Sequence, residues 1–451
     1  VPERLIIRGK LFQLTSHMTW EYPLFYVFNF YFADSLPNIN RTCKGNCRFR
    51  AIMNKVIIRK PNRLLNTFLK YSAGLVFKFR YRLHHENRDI VKQLEPPYLL
   101  LPNHVSLFDP VLISLHIPHP VSWVASDPNF TNPLAGFFLR RLGTIPKTKG
   151  VSDLDTVRMM IETLNRKGVV GVFAEGERTW DGQTLPVLPA TAKLVRLLKI
   201  PVVVPIIKGS FLVLPRWAEK KRRGPVTIEY RLAVSREEAG KLSLSELQER
   251  LDKNLNYNEF DYQRNNSLTF HSKELTEGLS RTLFICPGCK GINTMYSLKD
   301  LFTCDSCGFS VKLTHRGFFE TRRGDLPFDD IHEWYVWQLE YFRESLRKAL
   351  MENVSTVLFD DRDIQFSTGY KTEKRKRLGF GKARMYADRI ELELSSGEVL
   401  KFPLNEISGD NVVYRDQFEF YYNKTLYSFT FTGRPTSGIK WHHAVTFLKS
   451  Q

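Results

Sequence analysis

The chain has 451 residues, 43% hydrophobic and 13% aromatic, with a formal net charge of +19; this allows about three domains and excludes wholesale disorder. The first hundred residues carry +11 of that charge, a basic and aromatic balance suited to an anionic membrane surface or nucleic acid rather than an acidic protein. No apolar run is long enough for a membrane-spanning helix, and no secretory signal is apparent, so the expectation is a basic, cytosol-facing, multidomain protein.

Residues 1–60 form a basic and aromatic segment, with aromatics clustered over Tyr22–Phe32 and cations over Arg41–Arg50 and Lys55–Lys60. Cys43 and Cys47 are spaced C-x-x-x-C without a second pair, and read as ordinary reduced thiols. After Pro61 and Asn62, the stretch Leu64–Arg82 mixes Phe68, Leu75 and Phe77 with Lys70, Lys78 and Arg80. It predicts a helix that either lies in a membrane interface with its cations at the headgroups or packs at a domain edge.

From about 95 to 235, short β-rich runs alternate with helical ones, the pattern of an α/β domain. Strands are predicted at Tyr98–Leu101, Val121–Ala125, Val169–Phe173, Val202–Ile207 and Val226–Leu232, and helices at Asn132–Leu142, Asp153–Lys167 and Ala190–Lys199. A helix at 243–254 closes a domain spanning 61–255. The polar stretch Asn254–Ser267 then reads as the start of a linker, 256–281.

Over 282–317, Cys286 and Cys289 form one C-x-x-C knuckle, and Cys304 and Cys307 form another fourteen residues later. Two such knuckles supply four thiolates for a tetrahedral zinc ribbon. Disulfides suit a chain without a secretory signal less well. A closed four-thiolate site has no open position, so this zinc is expected to be structural. Gly288 and Gly308, in or just after the knuckles, are expected to ease the turns.

A connecting segment, 318–352, holds a helix from about 328. The remainder, 353–451, is strand-dense, with predicted strands at Gly379–Tyr386, Arg389–Leu394, Glu398–Phe402, Gln417–Tyr422 and Thr425–Phe431, and hairpin turns at Ser395–Gly397 and Asn423–Lys424. One amphipathic helix follows Pro435. That order of elements resembles the pleckstrin-homology-like architecture. The basic runs Lys371–Arg377 and Lys220–Arg223 read as solvated loops or as headgroup contacts.

The chemistry concentrates after two of the α/β strands. Asn103-His104 is followed by Ser106 and Asp109, a spacing that lets a carboxylate orient an imidazole as a general base. Val169–Thr179 runs a strand into Glu175-Gly176-Glu177-Arg178, where a flexible glycine beside a guanidinium suits a phosphate. No G-x-S-x-G, G-x-x-x-x-G-K or H-E-x-x-H motif occurs.

These blocks, in this order, resemble the glycerophospholipid acyltransferase family over about 60–255. Its N-H-x-x-x-x-D pattern is met by Asn103, His104 and Asp109, its F-P-E-G-x-R pattern by Phe173, Glu175, Gly176 and Arg178, and its later V-P pair by Val204 and Pro205. Departures are Ala174 for the proline, Glu177 beside the phosphate site, Lys147 or Lys149 where the family often has arginine, and Leu185–Pro189 in place of a Phe-Lys pair.

The resemblance implies an α/β acyltransferase domain with a mixed sheet flanked by helices, followed here by the zinc ribbon and a mostly antiparallel β domain ending in a helix. It implies His104 as general base, oriented by Asp109, acting on the hydroxyl of a lysophospholipid acceptor. Acyl-CoA or acyl carrier protein is the thioester donor, and phosphatidic acid the product. Arg178, with Lys147, would hold the acceptor phosphate; Asn103, Ser106, Glu175 and Gly176 complete the substrate site. Glycerol-3-phosphate or another lysophospholipid is the alternative acceptor, and attachment to the cytoplasmic membrane face would be peripheral or monotopic. The competing class is a nucleic-acid or partner-binding ribbon protein with an inactive acyltransferase domain. It fits less well, because the ribbon segment is only slightly basic and the densest positive charge lies at 41–80.

Overall fold

The computed structural model describes residues 6–7, 10–11, 60–130, 132–147, 154–352, 356–369 and 375–451. Cys43, Cys47, the clusters of residues 22–59, Lys149 and residues 371–374 of the basic run lie outside the described residues. The chain forms two compact units, Val1–Lys55 and Val56–Gln451. In the first, Ile6–Ile7 (β1) pairs antiparallel with Lys10–Leu11 (β2).

The second unit opens with the helix Arg63–Arg80, capped by the Asn62 side chain, which accepts from the Leu65 N–H. A seven-stranded sheet follows: β3 (Leu83–Glu86), β4 (Tyr98–Leu100), β5 (Val121–Ser126), β6 (Ile145–Lys147), β7 (Val169–Gly171), β8 (Val202–Lys208) and β9 (Val226–Val234). The order is β3-β9-β8-β4-β7-β5-β6, with every pairing parallel except β8 with β9. The mixed sheet matches expectation.

The middle strands β4, β7 and β8 are buried throughout apart from Lys208, which is why they read as unbroken Val, Ile and Leu runs. Helices Leu154–Asn165, Pro189–Leu198 and Leu244–Leu255 cover the sheet with the apolar faces Met159–Met160–Leu164, Ala192–Val195 and Leu247–Leu251–Leu255. Ser243 and Glu246 form a reciprocal capping box at the start of the third. Trp123 on β5 lies across Gly171 on β7, where a Cβ would come within 2.3 Å of the indole, so only glycine admits that ring.

The linker expected at 256–281 is corrected by the structure. It holds the helix Glu259–Asn266, capped by Asn258, and buries Glu259, Phe260, Gln263, Phe270 and Leu279. Its polar residues are inside because the backbone satisfies them: Gly209 N–H donates to Glu259, and Gln263 exchanges hydrogen bonds with Leu268.

The ribbon is an antiparallel sheet of β10 (Met295–Leu298), β11 (Leu301–Cys304), β12 (Ser310–Leu313) and β13 (Phe319–Arg323). Trp334, on the helix Ile331–Glu352, fills its apolar side among Phe302, Phe309 and Phe319 and donates to the Ile285 carbonyl at 3.1 Å. The C-terminal sheet comprises β14 (Phe359–Gly369), β15 (Lys376–Met385), β16 (Arg389–Leu394), β17 (Val399–Pro403), β18 (Ser408–Val413), β19 (Gln417–Tyr422) and β20 (Thr425–Phe431). They run antiparallel in the order β17-β16-β15-β14-β20-β19-β18, and the helix Ile439–Leu448 packs against them through Trp441. Buried Asp361 on β14 joins the pieces: it accepts from Lys440 and Trp441 of that helix and from Asn293 of the ribbon.

Candidate active site and cysteine cluster

β4 and β7 are parallel neighbours, so the loops that follow them leave the same edge of the sheet side by side. Carboxyl ends of strands are where open α/β sheets place their ligands. Two hydrogen bonds stitch these loops and a third braces the second of them. The His104 N–H donates to Glu175 Oε1 at 2.6 Å, the His104 carbonyl accepts from the Thr179 N–H at 3.0 Å, and Glu175 Oε2 accepts from the Leu185 N–H at 2.6 Å.

Glu175 is buried, and burial pushes its carboxyl up to about 8, against the pull of the Leu185 and His104 hydrogen bonds. Asn103 is also buried; its amide receives the Ile207 N–H at 2.7 Å and donates to the Ile207 carbonyl at 3.2 Å. Read from sequence as substrate contacts, Asn103 and Glu175 instead use their polar atoms to tie the loop to β8 and to the second block.

Asp109 opens the short helix Asp109–Ser114 and is buried. Its Oδ2 lies 2.9 Å from His104 Nδ1 and accepts the N–H groups of Val105 at 2.7 Å and Ser106 at 2.8 Å, while Oδ1 accepts the Ser106 hydroxyl at 2.7 Å. Ser106 therefore serves Asp109 directly. A carboxylate acceptor at Nδ1 places the ring proton there and the lone pair on Nε2, the arrangement of an oriented general base. The imidazole stacks on Phe173 with centroids 3.8 Å apart and planes at 22°, and Phe173 stacks on Trp123. Trp123 in turn donates to Ser114 on the Asp109 helix at 2.9 Å. The side chain of His104 remains 21% exposed, so the ring is held yet reachable.

Gly176 has φ +82° and makes the exposed turn that leads to Arg178. Arg178 Nη2 donates to the Tyr414 carbonyl, between β18 and β19, at 3.2 Å. Glu177, the carboxylate beside the expected phosphate site, is matched by the buried Arg216, whose Nη1 stands 2.9 Å from its Oε2. Arg216 was not foreseen; it follows a proline outside every motif and pairs 39 residues away. Lys147 ends β6, exposed, on the same sheet edge but three strands from β4. That is roughly 14 Å from β4 and roughly 10 Å from β7 at the usual strand spacing, so on the sheet Lys147 lies nearer the strand that leads to Arg178 than the strand that leads to His104.

The four ribbon cysteines bring their sulfurs within 4.8 Å of one another, with Cys286–Cys307 and Cys289–Cys304 each at 3.7 Å. A tetrahedral ion with about 2.3 Å bonds to thiolate needs sulfurs about 3.8 Å apart, and a disulfide needs about 2.05 Å. The donor set thus fits a tetrahedral metal. Gly308 takes φ +72° beside the second knuckle; Gly288 does not have a positive φ.

Residues 82–208 match the model of the family described as Acyltransferase. No curated protein matches the chain. Among solved structures, the chain is similar to the 1-acyl-sn-glycerophosphate (LPA) acyltransferase PlsC of Thermotoga maritima, at 19% identity over 42% of this chain and 76% of that one, TM-score 0.38. It is similar also to a chain of the 8S snRNP assembly intermediate, at 13% identity over 21% of this chain and 84% of that one, TM-score 0.18.

Proposed function

We propose, from the acyltransferase-family domain that residues 82–208 carry, that the protein transfers a fatty acyl group from an acyl thioester to the free hydroxyl of 1-acyl-glycerol-3-phosphate at a membrane surface, giving phosphatidic acid. The observation that carries this is His104: Asp109 at Nδ1, Phe173 against its face, and the ring open to the carboxyl edge of the sheet. Nε2 takes the proton of the acceptor hydroxyl as its oxygen attacks the thioester carbonyl. A C–O bond forms, the C–S bond breaks, and the proton passes to the departing thiolate of coenzyme A or acyl carrier protein. Arg178 is the anchor for the acceptor phosphate. Because Arg216 balances Glu177, that carboxylate is less of an obstacle to an anion, which supports a phosphate-bearing acceptor over a neutral one.

The membrane part of the reading rests on the helix Arg63–Arg80. Leu64, Phe68, Tyr71 and Leu75 lie on one face and are exposed, Leu64 at 84% and Tyr71 at 78%. Phe77, on the same helix, packs on Phe108 next to the Asp109 loop, where Leu107 is again exposed. Basic Arg63, Arg140 and Arg141 are exposed nearby, the Asn62 N–H donating to the Arg141 carbonyl. An apolar stripe with a cationic rim is what an anionic bilayer interface binds. No described helix is long and apolar enough to cross a membrane, so the attachment proposed is peripheral or monotopic, on the cytoplasmic face. The cysteine cluster is proposed to hold a structural zinc ion.

Acyl transfer from a labelled thioester to lysophosphatidate tests the core of this. Wild type is expected to be active, and His104→Ala to lose at least about 100-fold while its thermal melt is retained. Undiminished activity in the variant would sink His104 as base. An inactive wild type, with both donors and with glycerol-3-phosphate also tried, would sink the acyl-transfer reading.

A further inference from the structure

The β18–β19 hairpin reaches onto the second sequence block, and Arg216 is where the two meet. Its guanidinium is buried, with the side chain 2% exposed, and lies 4.1 Å from the Trp180 ring centroid. On one side Nη1 binds Glu177 Oε2 at 2.9 Å and the Arg178 carbonyl at 3.1 Å. On the other, Nε donates to the Tyr414 carbonyl at 3.2 Å and Nη2 to the Val412 carbonyl. A planar guanidinium fork fits this set of acceptors in a way an ammonium does not. The Tyr414 carbonyl is shared, since Arg178 Nη2 also donates to it at 3.2 Å. Tyr414 has φ +57°, a left-handed conformation uncommon for a non-glycine residue. A second tether holds the hairpin: Glu219 pairs with Arg415, and with Arg281, which also reaches Asp416.

We infer that the C-terminal β domain is part of the acceptor site, and that Arg216 is its positioning residue, fixing the Glu177–Arg178 backbone and the Arg178 guanidinium through the carbonyls of Val412 and Tyr414. The inference rests on the acyl-transfer reading above and extends it to a domain outside the family match. The path from hairpin to base is short and covalent in part: Arg216 to Arg178, then Thr179, whose N–H holds the His104 carbonyl. A phosphate monoester bound by Arg178 is thereby registered against Nε2. Loosening the clamp leaves the base in place but lets the anion anchor wander, a loss that falls on the acceptor alone.

The experiment uses the full chain, with steady-state kinetics varied separately in acyl thioester and in lysophosphatidate. In Arg216→Lys the acceptor KM is expected to rise about tenfold or more, while the thioester KM moves less than threefold. Glu219→Gln, which weakens the second tether of the hairpin and leaves Glu177, Arg178 and Arg216 in place, is expected to shift the acceptor KM in the same direction by a smaller factor, and it carries the test alone if Arg216→Lys does not fold. Acceptor and thioester KM rising together, or neither moving, would overturn the inference while leaving acyl transfer intact. Absence of transfer by wild type would overturn the acyl-transfer reading, and the inference with it.

Discussion

Glu175 joins the two halves of the site by accepting one backbone N–H on each oxygen. A carboxyl group can do this in either protonation state, but burial favours the neutral one and pushes its titration up to about 8, well above the ordinary carboxylate range. The consequence for stability has a definite sign. The folded state binds the proton more tightly than the unfolded chain, so the stabilisation is complete below the ordinary carboxylate range and is lost as pH rises through about 8. Buried Glu259, also pushed up to about 8 by burial, acts in the same direction. Melting temperature measured from pH 5 to pH 9 should therefore fall in wild type, and the fall should be shallower in Glu175→Gln; identical slopes would remove Glu175 from this account. At the residue scale, the His104–Asp109 pair was legible because its five-residue spacing closes within one loop. The work of Asn103 and Glu175 was not, because their partners, Ile207 and His104, arrive through tertiary pairing. Arg216 carried no local signal at all.

Secondary elements were legible in proportion to their hydrophobic pattern. The buried runs of β4, β7 and β8 announce themselves, whereas β3 (Leu-His-His-Glu) and the proline-containing β6 are edge strands with little to bury. The C-terminal β14 was missed for a related reason: its Asp360–Asp363 stretch includes a register shift that breaks the alternation. The helix Arg63–Arg80 poses the reverse case, since its apolar residues do not all go inside. Phe77 is buried, but Leu64, Phe68, Tyr71 and Leu75 form an unburied stripe at helical spacing. Replacing Phe68 and Leu75 together by Asp should therefore cost little folding stability. Flotation with vesicles rich in anionic lipid is expected to drop several-fold while the melt shifts by no more than a few degrees. A large melt shift with undiminished flotation would assign the stripe to packing.

On the scale of the whole molecule, residues from Val56 onward form one unit whose parts share cores. The helix Ile331–Glu352 gives Trp334 to the ribbon and uses Gln338 to bind the Phe284 N–H and the Thr282 carbonyl; the Asp361 cluster then joins ribbon to C-terminal helix. A metal in the cysteine cluster should accordingly stabilise more than its own loops. One zinc per chain is expected by atomic spectroscopy. Stripping it with a strong chelator is expected to lower the melting temperature by several degrees and to expose sites in both the ribbon and residues 356–451 to limited proteolysis. Cleavage confined to the knuckles would show that the ribbon stands apart. The bond from Arg178 to Tyr414 spans 236 residues of sequence, and this sets an order of events during synthesis. On the ribosome, His104 and Asp109 emerge within a few residues of each other, and the carbonyls of Val412 and Tyr414 follow only after the whole ribbon has been made. A nascent chain halted between the two holds the proposed base but not the clamp on Arg178, so the proposed acceptor site waits for synthesis of the C-terminal β domain.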